Sequence, residues 1–77
     1  MENQVEEHML IKLSANSGVL ELDDGSRWGV TPGDMPTICT WIPMATIRIK
    51  LVAPDSLWSY ELTNTGVDIS VRAMRKK

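Results

Sequence analysis

The chain has 77 residues, 43% of them hydrophobic, and a formal net charge of -2. This length accommodates one hydrophobic core and argues against a second domain. The acidic balance argues against a protein whose whole surface is shaped for nucleic acid. We therefore expect a single domain over residues 1–77, with residues 1–8 and 75–77 as flexible tails.

Cysteine and histidine usage excludes two kinds of stabilising centre. A single cysteine, Cys39, cannot form an intrachain disulfide, and one cysteine with one histidine cannot form a zinc motif. The N-terminal segment is acidic where a signal peptide would be basic, and no apolar run is long enough to span a membrane. The sequence predicts a cytoplasmic protein with no membrane contact, no cofactor and no metal.

The core has to be built mainly from aliphatic side chains, because the chain contains no Phe. Four aromatic residues are available for it: Trp28, Trp41, Trp58 and Tyr60. A domain of this size buries little surface and is marginally stable alone. We therefore expect a homo-oligomer.

Alternation of apolar and polar residues with period two dominates the chain and is typical of β-strands. It recurs in six segments: 9–13, 19–22, 26–30, 46–52, 58–63 and 67–74. In the first segment Met9, Ile11 and Leu13 fall on one face. The pattern predicts an all-β fold.

Side-chain sorting indicates the register of two hairpins, because a slip of one residue turns every side chain to the other face. A three-residue loop at 23–25, with Gly25 left-handed, pairs Leu20 with Trp28 and keeps apolar residues together. In the last hairpin an even loop, 65–66 or 64–67, is favoured, which pairs Leu62 with Ile69.

The segment 31–43 cannot be sheet, because its prolines remove ladder donors. Asp34 is positioned to cap a short helical turn, after which Ile38, Trp41 and Ile42 fall at helical spacing. We expect these three side chains to plug one end of the sheet. The sequence thus predicts a small SH3-like curved barrel of five or six antiparallel strands, with one short helical turn between strands three and four.

A short pattern runs from Leu20 to Ile49: Asp-Gly-Ser, one residue, Trp, one residue, Val, then a later Asp and a Trp before a strand. Here its positions are Asp24-Gly25-Ser26, Trp28, Val30, Asp34 and Trp41, and the Leu-Thr-Asn ending at Asn64 extends it. About half of the chain thereby resembles a family of small bacterial proteins of unknown function. The resemblance implies a compact β-barrel and no activity.

The candidate catalytic residues have simpler structural explanations. Asp23 and Asp24 are neighbours and fit a turn, because an Asp side chain in a turn accepts hydrogen bonds from the nearby backbone. Asp34 fits a helix cap, although its place beside two tryptophans makes it the first choice for a ligand carboxylate. Ser26, His8 and Asp34 can be nominated as a triad, but nothing resembles a nucleophile elbow. A small hydrolase or metal-dependent enzyme would require Asp24, Asp34 and His8 to converge, and we expect no enzyme.

The tryptophans carry the leading hypothesis for function. Three indoles in so small a domain cannot all be central, and a buried indole nitrogen needs a hydrogen-bond partner. If Trp41 and Trp58 are exposed near each other, they form an apolar patch, with Trp28 and Asp34 as further binding residues. We therefore predict a non-enzymatic interaction module that binds a protein partner or itself.

An alternative is single-stranded nucleic-acid binding, because small barrels combine basic grooves with stacking aromatics. The basic residues on predicted outer faces and at the C-terminus are Arg48, Lys50, Arg72, Arg75, Lys76 and Lys77. A solvated sheet face explains the same residues, so this function ranks second.

Overall fold

Six antiparallel strands close into a barrel in the computed structural model, which describes residues 5–14 and 16–76. The strands are β1 (Val5–Ser14), β2 (Val19–Leu22), β3 (Arg27–Val30), β4 (Thr46–Leu51), β5 (Tyr60–Asn64) and β6 (Ile69–Lys76). Their order around the barrel is β1-β2-β3-β6-β5-β4, and β4 pairs with β1. A 3-10 turn (Pro32–Asp34) and helix α1 (Met35–Ile38) connect β3 to β4. The predicted all-β barrel with a helical turn at this place is confirmed.

The hairpin of β2 and β3 has the predicted register. Leu20 lies opposite Trp28, and Glu21 lies opposite Arg27. Gly25 adopts a φ of 86°, the left-handed conformation that the three-residue loop requires. The buried face holds Leu20, Leu22, Trp28 and Val30.

Strand β1 departs from simple alternation at a β-bulge between Leu10 and Lys12. An extra residue on one strand reverses the faces that follow it. Leu10 is fully buried and Ile11 is exposed, whereas Leu13 packs against the core, so the prediction that Ile11 and Leu13 share one face is wrong. The residues up to Met9 pair with β4, and those from Leu10 onward pair with β2.

The hairpin of β5 and β6 has an even loop, as predicted, but its register is shifted by two residues. Asn64 lies opposite Ile69, which leaves a four-residue loop, 65–68. The Oδ1 atom of buried Asn64 accepts a hydrogen bond from the Gly66 backbone (3.0 Å). Asp68 closes the loop in a left-handed conformation, which Asp tolerates. These local bonds stabilise the longer loop.

The segment between β3 and β4 covers one end of the barrel with Ile38 and Trp41, which are both buried. Ile42 is 70% exposed, so its predicted place in the plug is wrong. Helix α1 ends at Ile38, and helical spacing therefore no longer applies at residue 42. Asp34 makes no side-chain cap.

The Asp34 carboxylate instead joins the helical segment to β6. Its Oδ2 atom accepts hydrogen bonds from Thr31 Oγ1 (2.8 Å) and from the Arg72 backbone (3.0 Å). Asp34, which the sequence favours as a ligand carboxylate, is thus already hydrogen-bonded within the chain.

Residues 5–8 and 75–76, expected to be tails, are strand. Glu6 lies opposite Ile49 and Arg75 lies opposite Trp28, so the barrel includes both segments. Residues 1–4 and 77 lie outside the described residues. Among the residues that are described, no helix is long and apolar enough to cross a membrane.

The antiparallel arrangement separates the strand connections into two ends. The polar end carries the start of β1, the turn 23–26, the connection 52–59 between β4 and β5, and the end of β6. The apolar end carries the segment 31–45 and the loop 65–68. Between them lies the core, made of Leu10, Leu20, Leu22, Trp28, Val30, Ile38, Trp41, Ile47, Ile49, Leu62, Val71 and Ala73.

Two glycines provide a matched test of the turn geometry. A Cβ added at Gly25 or at Gly33 meets no atom within 4 Å, but Gly25 alone of the two is left-handed. We expect Gly25→Ala to lower the free energy of unfolding by about 1–2 kcal/mol, the left-handed penalty. Gly33→Ala should be neutral or slightly stabilising. Equal urea midpoints for the two variants would contradict this account.

Candidate functional site

A groove of about 480 Å³ opens at the apolar end of the barrel. The segment after helix α1 forms one wall and the loop between β5 and β6 forms the other. Its lining includes Trp41, Ile42, Met44, Asn64, Val67 and Ile69, and none of its lining residues carries a charge. Grooves with this apolar character are typical binding surfaces.

Large apolar side chains project from the rim of this groove into solvent. Ile42 is 70% exposed, Met44 is 72% exposed and Val67 is 56% exposed. Met44 also has a φ of 77°. A residue other than Gly, Asn or Asp pays a conformational cost in this region.

The three tryptophans occupy different places, contrary to the idea of a patch formed by Trp41 and Trp58. Trp41 is 4% exposed and lines the groove. Trp58 is half-buried and is not among the groove's lining residues. The main-chain carbonyl of Trp58 accepts two hydrogen bonds from the Arg72 guanidinium (3.1 and 2.7 Å).

Trp28 belongs to the core near the polar end. Its Nε1 donates to Ser26 Oγ (2.8 Å), and its ring meets Tyr60 edge-on with centroids 5.0 Å apart. The Arg75 guanidinium lies 5.5 Å from the centroid of the Trp28 ring. The one polar atom of this indole, Nε1, is therefore hydrogen-bonded within the chain.

Pairing of β1 beside the 23–26 turn creates a cluster that sequence spacing did not reveal. His8 Nδ1 lies 3.1 Å from Asp23 Oδ1, and His8 Nε2 lies 3.2 Å from Glu6 Oε1 and 3.4 Å from Asp24 Oδ2. The Asp23 backbone also donates to the Met9 carbonyl (2.9 Å). The pairing of Leu10 with Leu22 at the end of β2 brings His8 beside this turn.

The protonation states of this cluster are coupled to its geometry. The hydrogen bond to Glu6, with the charges and bonds of Asp24 and Asp23, raises the pKa of His8 above its usual 6.5. Hydrogen bonds from the Ser26 side chain and backbone lower the pKa of Asp24 below its usual 3.8. Both changes favour an imidazolium facing carboxylates.

The cluster offers donor atoms for a cation, and it does not contain Asp34 of the nominated triad. One ligand atom each from Glu6, His8 and Asp24 lie within 4.8 Å of one another, on exposed or half-buried side chains. Ser26 is buried and donates directly to Asp24, so the carboxylate stands between the serine and His8. Asp34 follows β3 whereas Asp24 precedes it, so the nominated residues do not converge.

The residues of the nucleic-acid alternative do not form a basic surface. Arg48 Nε pairs with Glu7 Oε2 (3.0 Å). Glu61 lies between Lys50 and Arg72 across the sheet. Positive and negative side chains therefore alternate around this face.

The remaining cations lie near the polar end. The Arg75 guanidinium stacks on the Trp28 ring, and Lys76 lies opposite exposed Arg27. Lys77 lies outside the described residues. Arg75, Lys76 and Arg27 form a small group at one end of two strands, not the extended groove that binding a nucleic-acid strand uses.

The His8 cluster predicts a pH dependence of stability. Because the folded pKa of His8 is raised, its contribution is full below about pH 6.5 and is lost as pH rises through the folded value. We expect wild type to exceed His8→Gln in free energy of unfolding near pH 6, by a small amount because the cluster is exposed. The difference should vanish at alkaline pH. Urea denaturation at several pH values tests this, and a pH-independent difference would refute it.

Comparison with known proteins does not add to this geometry, because no protein-family model, curated protein or solved structure matches the chain. The resemblance to a family of small bacterial proteins stays a prediction. The apolar groove and the His8 cluster are the two sites from which a function has to be inferred.

Proposed function

We propose that this chain is a non-enzymatic interaction module that binds a second copy of itself through the apolar end of the barrel. The observation that supports this most directly is the exposure of Ile42 and Met44 beside an uncharged groove. Apolar side chains in such a cluster lose contact with water only when another surface covers them.

The apolar end carries both a concave and a convex feature. A two-fold interface uses the same surface on both subunits, so that surface must be complementary to itself. Here the groove lies beside the projecting side chains of Ile42 and Met44. In a two-fold dimer the projecting pair of each copy can enter the groove of the other.

Charge favours this end over the rest of the surface. Two copies of a chain with net charge -2 repel each other weakly, and an uncharged interface adds no repulsion. A standard interface takes about 800 Å² from each partner. The solvent-accessible surface of the domain is 4893 Å², so such an interface would cover about one sixth of it. An area of this size corresponds to one whole end of the barrel.

Met44 gives the proposal a second, independent support. Its left-handed φ costs stability, and its side chain is too exposed to recover that cost by packing within the chain. Gly or Asn would satisfy the turn with less strain. A long apolar side chain at this position is therefore better explained by contact with another molecule.

Two exposed aliphatic residues allow a matched test of the surface. Ile42 lies at the rim of the groove, whereas Leu57, 66% exposed, lies in the β4–β5 connection at the polar end. Ile42→Asp should weaken self-association at least about tenfold, because it buries an unpaired carboxylate. Leu57→Asp should leave association unchanged. Sedimentation over micromolar to millimolar concentrations measures both.

Both substitutions are at exposed positions, so neither should change the free energy of unfolding of the monomer by more than about 0.5 kcal/mol. A wild-type chain that is monomeric throughout, or an equal loss of association in the two variants, would contradict the proposed function.

Met44→Asn should have opposite effects on folding and on association. Asn tolerates the left-handed turn, so the variant should gain up to about 1 kcal/mol in free energy of unfolding, measured at a concentration where the chain is monomeric. The same variant should associate more weakly, because it lacks the apolar side chain. A variant that loses stability, or keeps full association, would show that Met44 serves the fold alone.

A further inference from the structure

The indole nitrogen of Trp41 has no hydrogen-bond partner among the residues that the structure describes. Its side chain is 4% exposed and contributes to the lining of the apolar groove. By contrast, the Nε1 atom of Trp28 donates to Ser26 Oγ. Of these two buried indoles, the one at the groove is the one left unpaired.

An unpaired N–H is costly in a buried position, because the group has lost its bond to water and gained none from the protein. Buried indole nitrogens usually have a partner for this reason. In a domain of 77 residues this cost is a large part of the total stability. It is removed if a bound molecule supplies an acceptor.

We infer that Trp41 Nε1 is the hydrogen-bond donor of the groove and that it bonds a main-chain carbonyl of the second copy. This inference rests on the proposed self-association and adds its polar contact. A carbonyl on a projecting segment between apolar side chains suits a groove whose lining is uncharged and mainly apolar. The bond would orient the partner, which apolar contact alone does not do.

Access to the nitrogen requires a small movement, since the atom is closed off in the free chain. The side chains of Ile42 and Met44 at the rim are mostly exposed, so few internal contacts hold them. The backbone beneath is held by the bond from Met44 N to the Leu10 carbonyl (2.7 Å).

The indole N–H resonances of the full chain, labelled with ¹⁵N, test this inference directly. Spectra are recorded below and above the concentration at which light scattering detects association. The Trp41 resonance should move downfield on association, and its exchange with deuterium should slow. The Trp28 resonance, already hydrogen-bonded to Ser26, is the internal control and should not shift in this way.

A substitution provides a second measurement. Trp41→Phe keeps a ring in the wall and removes the donor, so it should weaken association about two- to tenfold. Trp58→Phe, outside the groove lining, should leave association unchanged.

The outcomes separate the two proposals. Association with an unmoved Trp41 resonance overturns the hydrogen bond and leaves the proposed function standing. A chain that does not associate at any concentration overturns both. Because the spectra use the unmodified sequence, the test does not depend on the folding of any variant.

Discussion

Strand β1 bonds to β4 with its first half and to β2 with its second half, and this double pairing closes the barrel. The bulge after Leu10 permits the bend between the two halves. A closed barrel has no free strand edge to recruit another chain. The proposed contact with a second copy would therefore use side chains on the faces or at the ends. The faces alternate in charge, which leaves the ends.

Closure also explains why the two ends differ. At the polar end, β1 passes beside the 23–26 turn, and His8 meets three carboxylates there. At the other end, a segment with three prolines covers the barrel with Ile38 and Trp41 and turns Ile42 and Met44 outward. At the first end the charged groups of this cluster are bonded to one another within the chain. The second combines a strained backbone, an unpaired indole and exposed apolar side chains, as binding surfaces often do.

Much of the barrel could be predicted from the sequence because alternation reports which face of a strand is buried. It fixed the register at Leu20 and Trp28, where a slip of one residue exposes the core. It could not fix the last hairpin, because a shift of two residues preserves both faces. There the bond from Gly66 to Asn64 decides the register.

The sites were harder to predict than the strands. The His8 cluster depends on pairing between residues 15 apart, which motif spacing does not encode. The exposure of Ile42 depends on where a four-residue helix ends.

The central claim is that two copies meet at the apolar end, and Cys39 allows it to be measured without new mutations. This cysteine is exposed, is the single cysteine of the chain and lies just before the groove-lining segment that begins at Thr40. A nitroxide attached there reports the separation of two copies by dipolar spectroscopy. The account predicts a label-to-label distance shorter than 34 Å, the longest dimension of one domain. Association without such a short distance, or no dipolar coupling at any concentration, would contradict it.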